Sequence, residues 1–279
     1  MITASQQNYI SDHAYIPEHI PQYVTAISQT EPFLLGDFLC YAKKGHFTLV
    51  GYPLEEPFEE KRMRSVLEDA IKRLHPESVS LIAPSVPSSI NDCIHPPPDH
   101  YYRLDLSSIS ISQKLRNMLK RAYRELSVER TNKFDEEHRK MIVEFLKTHP
   151  VDEAASFIFN RIDEYLSSSP TARVFDARNK RDELVAFDVA EFTPKDYALY
   201  MFNFGSEARY VPGASDLLLS EVIKQAKTES KKYINLGLGI NPGVTFFKKK
   251  WCGVPFLPYA SCFYHLKRKE NLDALLQKL

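Results

Sequence analysis

Apolar positions in the first half of this chain switch between a period of two and a period near 3.6, and each switch marks an element. Asp37–Lys43 and His46–Tyr52 are strand-like runs separated by Lys44-Gly45, which predicts a hairpin. Met63, Val66, Leu67, Ala70, Ile71 and Leu74 then fall on one face of a helix over Pro57–Leu74, which His75-Pro76 ends. Val79–Ala83 reads as a buried strand. A proline- and serine-rich loop, Pro84–Pro98, leads to a strand at His100–Leu106. A helix over Ser112–Leu126 follows, apolar at Leu115, Met118, Leu119, Ala122, Tyr123 and Leu126. Two more helices are predicted over Asp135–Thr148 and Val151–Leu166, then a linker at Ser167-Ser168-Ser169-Pro170. The first 32 residues have weak periodicity and predict at most a short helix near Pro21–Thr30.

Beyond the linker, strands dominate. Ala172–Ala177, Leu184–Phe192 and Tyr197–Phe204 are three in succession, and the second is apolar at most positions, as a central strand is. The loop Val211-Pro212-Gly213-Ala214-Ser215 precedes a helix over Asp216–Glu229. A strand at Tyr233–Gly237, a short helix over Val244–Trp251 and a closing strand at Phe256–Leu266 complete the order.

Composition narrows the class of protein. The chain has 279 residues, with 43% hydrophobic and 26% charged residues, which suits one large or two ordinary folded units. Its formal net charge is zero, so no global field draws nucleic acid or anionic lipid to the whole molecule. No run approaches the ~18 apolar residues of a membrane helix, and the N-terminus has no secretory pattern. A cytoplasmic protein without an integral membrane segment is expected. The four cysteines, Cys40, Cys93, Cys252 and Cys262, fit neither a disulfide framework nor a zinc site, so unpaired thiols and no metal are expected. His95-Pro96-Pro97-Pro98-Asp99-His100 reads as a stiff connector rather than a ligand cluster.

Three stretches carry a resemblance. They are the basic helix at Leu115-Arg116-Asn117-Met118-Leu119-Lys120-Arg121-Ala122, the loop and helix start at Val211-Pro212-Gly213-Ala214-Ser215-Asp216-Leu217-Leu218, and Asn235-Leu236-Gly237-Leu238 followed by Phe246-Phe247-Lys248-Lys249-Lys250-Trp251-Cys252-Gly253. With the element order after Thr171, they make the chain resemble the C-terminal catalytic region of lysyl-phosphatidylglycerol synthases and, more distantly, the Fem aminoacyltransferases. The resemblance implies an α/β fold of two GNAT-like units, mixed central sheets flanked by helices. Residues 1–32 would be an extension. Residues 33–168 would be a degenerate first unit, lacking a glycine-rich donor loop and forming half of an acceptor cleft. Residues 171–279 would be the catalytic unit, in which two neighbouring strands part to admit the acyl donor.

The implied activity is acyl transfer, of an aminoacyl group from aminoacyl-tRNA to an amine or hydroxyl on a small molecule, peptide or lipid headgroup. No tightly bound cofactor is expected. Acetyl-coenzyme A is the alternative donor, and a non-catalytic binding protein on the same fold is the other alternative. Against coenzyme A stands the loop itself. Aligned on Gly213, the GNAT pyrophosphate pattern of Gln or Arg, two residues, Gly, one residue, then Gly or Ala meets Tyr210 first and Ser215 last, with Arg209 one residue out of place.

The resemblance assigns Lys248, of the Phe247-Lys248 pair, to the donor ester or its tRNA phosphate. A solvated basic patch at Lys248-Lys249-Lys250 is the other reading. Val211, Gly213, Ala214, Ser215 and Phe247 would bind the donor, Gly213 by close backbone approach and Ser215 by capping the helix. Asp188 and Glu191 alternate on the central strand. Asp188 is the candidate base or amine-binding carboxylate, its pKa raised if buried, and Glu191 is expected to be a solvated strand end. Asn203 and Asn235 either hydrogen-bond substrate across the parted strands or cap the sheet. Tyr259 and Tyr264 on the closing strand are candidate acids, Tyr259 the one preferred. Arg116, Lys120, Arg121 and Arg124 either meet tRNA phosphates or form an ordinary solvated helix face.

Overall fold

The computed structural model describes residues 2–88, 90, 93–94 and 97–266. The expected connector residues His95 and Pro96 lie outside the described residues. The chain divides into two compact units, one of residues 30–98 and 258 onward, the other of residues 3–29 and 99–257. These bounds differ from the expected ones. Residues 3–29 belong with the second unit, and the chain passes between units at 29–30, 98–99 and 257–258 instead of at the serine linker.

The first unit is a five-stranded sheet of β1 (Glu31–Leu35), β2 (Phe38–Lys43), β3 (His46–Val50), β4 (Ser78–Ala83) and the later part of β11 (Val254–His265), in that order. The β2–β3 hairpin turns at Lys44-Gly45, where φ of +76° at Gly45 requires a residue without a Cβ. Helix α3 (Glu60–Leu74) buries Met63, Leu67 and Ala70 against Phe47, Leu49 and Leu81. Burial of each large apolar side chain contributes roughly 1.5–3 kcal/mol. Strand β1 was missed because Pro32 interrupts its pattern at the sheet edge. Cys93 and Cys262 are joined as a disulfide, contrary to the expectation of unpaired thiols. They lie 169 residues apart, so spacing alone gave no signal.

The second unit orders its strands β5 (Asp99–Asp105), β10 (Tyr233–Leu238), β9 (Tyr197–Gly205), β8 (Leu184–Glu191), β7 (Ala172–Asn179) and β6 (Leu126–Thr131). Only β10 and β9 run parallel. All eight residues of β8 are buried, as expected of a central strand. On one face, Ala186 and Ala190 meet α4 (Gln113–Glu125) and α8 (Ala214–Thr228). On the other, Phe187, Val189, Phe202 and Phe204 meet Met141 and Ile142 of α5 (Glu136–Thr148) and Tyr165 of α7 (Ile162–Ser168). A single helix over Val151–Leu166 was expected; the structure has α6 (Glu153–Phe159) and then α7. The basic helix ends one residue early because Leu126 begins β6.

The N-terminal residues carry more structure than their periodicity suggested. Helix α1 (Ala4–His13), a 3₁₀ turn (Pro17–His19) and α2 (Pro21–Ser28) pack on the second unit. Tyr101 donates to Glu18 at 2.7 Å, and Asn235 donates to the Tyr15 carbonyl at 2.8 Å. Burial, partly offset by the Tyr101 bond, raises the pKa of Glu18. Glu191 is another correction. It is fully buried and accepts bonds from Tyr165 (2.7 Å), Ser169 (2.6 Å) and Thr171 (2.5 Å), so the predicted linker is pinned to the sheet. Helix α9 (Pro242–Lys250) completes the second unit.

Candidate functional site

The site begins where the only parallel pair of the second sheet comes apart. Tyr233 pairs with Tyr197, Ile234 with Ala198 and Asn235 with Leu199. Beyond these three positions no pairing joins the two strands among the described residues, although β9 continues to Gly205 and β10 to Leu238. Both backbones change course there. Val189 of β8 opposes Phe202 and Ala190 opposes Tyr200, so Met201 is the extra residue of a bulge. On β10, Asn235 opposes Arg103 and Leu238 opposes Tyr101, so the ladder to β5 is also interrupted. Within that interruption Gly237 has φ of +77°, and its N–H donates to the Asn235 side chain at 2.8 Å.

Lys248 reaches this gap from α9. Only 4% of it is exposed, and its ammonium donates to the Leu238 carbonyl. A Cβ at Gly237 would lie 3.6 Å from Lys248 Nζ and 3.8 Å from the Tyr200 carbonyl, so ammonium and carbonyl both border Gly237 at the parting. Burial pulls the Lys248 pKa down to about 7, with Asp99 opposing part of the shift. The three consecutive lysines therefore differ. Lys249 is exposed, while Lys250 pairs with Asp216 at 2.6 Å and lies over the Phe247 ring at 5.1 Å.

A second polar cluster lies under the first turn of α8. Asp188 is completely buried and accepts from Asn203 Nδ2 at 2.5 Å, while Asn203 Oδ1 accepts from Ser215 Oγ at 3.2 Å. Burial pushes the Asp188 carboxyl up to about 8 despite the lowering effects of Asn203 and Tyr200. Tyr200 is close enough to be raised in turn, by burial and then by Asp188. Neither its hydroxyl nor Asp188 Oδ2 makes a hydrogen bond of full geometry. Asp216 is held by Lys250 and by Trp251 Nε1 at 2.8 Å. Sequence reasoning missed Tyr200, Asp216 and Trp251.

Other expected residues fall differently. Gly213 has φ of +88° and is itself the N-cap residue of α8, so Ser215 does not cap the helix. A Cβ on Gly213 would come within 2.9 Å of Met118 of α4, so its close approach is to that helix. Ala214 is buried and Val211 packs at the core edge. The Asn235 amide holds Tyr15 and Gly237. Tyr259 falls among the residues of the first unit, whereas Asp188 and Lys248 belong to the second. Tyr264 pairs with Val79 on the first sheet, and burial raises its pKa to about 12. Arg116, Lys120, Arg121 and Arg124 are all exposed, Arg121 with Glu125 as a partner at 3.3 Å. Among the described residues no cluster of metal-ligating side chains occurs, and no helix is long and apolar enough to cross a membrane.

This arrangement defines a tandem GNAT-like α/β fold. No family model matches the sequence, and no curated protein sequence matches it. Among solved structures the chain is similar to FemX, at 10% identity over 100% of this chain and 98% of that one, with a TM-score of 0.63. It is similar to L-PGS from Bacillus licheniformis, at 15% identity over 91% and 90% of the two chains and a TM-score of 0.57. A tandem GNAT protein from the clavulanic acid biosynthesis pathway matches at 10% identity over 82% and 78%, with a TM-score of 0.51. At these identities the likeness establishes the fold.

Proposed function

We propose that this chain is an acyltransferase that moves an aminoacyl group from an aminoacyl-tRNA to an amine or hydroxyl acceptor. The observation that carries the reading is the parting of β9 from β10 with the buried Lys248 ammonium at its edge. An acyl group lying in that parting meets unpaired strand edge on one side and a cation on the other. Attack by the acceptor puts negative charge on the carbonyl oxygen of the ester, which a preorganised ammonium in a water-poor site stabilises. With its pKa near 7, Lys248 can also give a proton to the departing ribose oxygen and regain one from the acceptor nitrogen or oxygen. The ester C–O bond breaks as the new bond to the acceptor forms, and the proton count closes.

The surroundings of the donor loop favour a tRNA ester over coenzyme A. Tyr210 stands where GNAT enzymes use Gln or Arg for the pyrophosphate. The neighbouring Arg209 is turned away, its Nε donating to the Leu184 carbonyl at 2.9 Å. Gly213 faces Met118. The exposed Arg116, Lys120, Arg121 and Arg124 give the same unit a cationic face for tRNA phosphates.

The test follows the ester. Transfer RNAs charged with one labelled amino acid at a time are incubated with the protein and a panel of amine and hydroxyl acceptors. One ester should be consumed faster than in buffer, and Lys248→Ala should remove the acceleration. Micromolar binding of acetyl-coenzyme A in a calorimetric titration would reverse the choice of donor. If no ester is consumed and no coenzyme A binds, transfer itself is excluded.

A further inference from the structure

The N-terminal segment covers the back of the parting. Ala198, Tyr200, Ile234 and Leu236 pack with α8 on one face of the second sheet. Their chain neighbours Leu199 and Asn235 point to the other face, and residues 14–23 meet them there. On β9, Leu199 packs with Ala14 and Ile20, and Met201, the extra residue of the bulge, packs against the same cluster. The Tyr15 ring lies 6.3 Å from that of Tyr197, and the Tyr23 ring 6.2 Å from that of Phe202. On β10, Asn235 donates to the Tyr15 carbonyl, and on β5, Tyr101 donates to Glu18. Asn235 and the Leu238–Tyr101 pair bound the stretch in which the β10–β5 ladder is broken. One short segment therefore touches all three strands where their pairing fails.

A strand that leaves its neighbour must still find partners for its backbone N–H groups. Gly237 N–H finds the Asn235 side-chain oxygen at 2.8 Å, and the nitrogen of the same amide is held by the Tyr15 carbonyl. The next residue, Leu238, supplies the carbonyl that accepts from Lys248. Asn235 is only 1% exposed, so it links the segment to the gap and does not offer its amide to a substrate. Ile16 and Ile20 are fully buried, which seats the segment firmly on the sheet.

We infer that residues 14–23 are a strap that holds β9 and β10 apart from behind, with Asn235 as the positioning residue through which it acts on Lys248. The inference rests on the transferase reading only for its effect on turnover. Its test is the titration of Lys248, followed by NMR in the full chain carrying ¹³C-labelled lysine, with the signal identified by its absence from Lys248→Met. In the unaltered protein the midpoint should lie near 7. Asn235→Ala should move it toward the ordinary 10.5 by about one pH unit or more, because water enters a gap that is no longer held. Ile20→Ala, which thins the strap without touching Asn235, should move it in the same direction by less, and Ile20→Val is the milder substitute if that chain does not fold. Leu115→Ala, a core truncation on α4, should lower the melting temperature and leave the titration in place. With whichever ester the protein consumes, kcat should fall about tenfold or more in Asn235→Ala, as misplacement of a catalytic group does.

A Lys248 midpoint that stays put in both Asn235→Ala and the Ile20 variant would overturn the inference. So would an equal shift in Leu115→Ala, which would reduce the effect to a loss of stability. A shift confined to the strap variants in a protein that consumes no ester would leave the strap standing and remove the transferase reading. Ester consumption with unmoved titrations and equal kcat in the strap variants would do the reverse.

Discussion

Each unit has one parallel strand pair flanking a helix, and the two pairs have opposite fates. In the first unit β3 and β4 pair at five successive positions, from His46↔Ser78 to Val50↔Ile82, and Gly51 N–H extends the ladder by donating to the Ile82 carbonyl at 2.7 Å. In the second, β9 and β10 pair at three positions and then part. Element order does not separate them, because both read strand, helix, parallel strand. What differs is irregular backbone and an intruding charge. The closed pair is sealed beside Gly51, where a Cβ would meet Met63 Sδ at 2.6 Å and Ala83 at 2.8 Å. The open pair has a bulge at Met201, a positive φ at Gly237 and a lysine between. A GNAT-like unit is thus a candidate for donor binding by virtue of what prevents its strands from pairing.

The sharpest way to break this comparison is at the charge. Lys248→Met should lower ester transfer by about 10²–10³-fold, the usual loss of one oxyanion-stabilising donor. It should also raise the melting temperature, and more at pH 6 than at pH 9. The folded pKa of about 7 lies below the ordinary 10.5, so the burial cost is largest at low pH and falls as pH rises from about 7 to 10.5. Equal activity, or an equal shift at both pH values, would remove Lys248 from the gap's chemistry.

Gly51→Val tests the closed pair. The added carbons have no room beside Met63 and Ala83, and a loss of about 3 kcal/mol is expected from denaturant unfolding, at the upper end for overpacking. Gly213→Val, at the loop of the open unit, should cost about 1–3 kcal/mol through its left-handed φ and its approach to Met118. Met118→Ala in the same chain should restore part of that loss and leave the strain. A fully stable Gly213→Val protein would contradict the packing described.

The smallest effect concerns Asp188. Its folded pKa of about 8 exceeds the ordinary 3.8, so its neutral form favours folding at low pH and that contribution is lost as pH rises through 8. Asp188→Asn keeps the shape and the Asn203 contact, so it should raise the melting temperature by several degrees at pH 9 and by less at pH 5. A pH-independent difference would show that the carboxyl does not titrate in this range.

Much of the second unit was legible beforehand. The alternation after Thr171 located β7 to β11, α8 and α9 to within a few residues, and the apolar run at Leu184–Glu191 marked the central strand. Lys248 was legible only through resemblance, since three adjacent lysines look alike in sequence while one is buried, one solvated and one paired with Asp216. Glu191 misled for the matching reason. A carboxylate at a strand end is usually wet, but Glu191 accepts from six side-chain and backbone donors of five residues, Tyr165, Ser169, Thr171, Phe192 and Thr193. Strand β6 and helix α1 were missed because their apolar faces are short and their stability comes from packing.

The amino-acid sequence by itself determined which segments become strands and helices and in what order, because periodicity is local and each element must hide one face. Tertiary structure alone decided where the chain passes between units, which cysteines meet, and where two strands stop pairing. Those outcomes depend on contacts between residues far apart in the chain, such as Gly213 with Met118 and Asn235 with Tyr15. No local pattern encodes them, since each is the result of two surfaces competing for the same space.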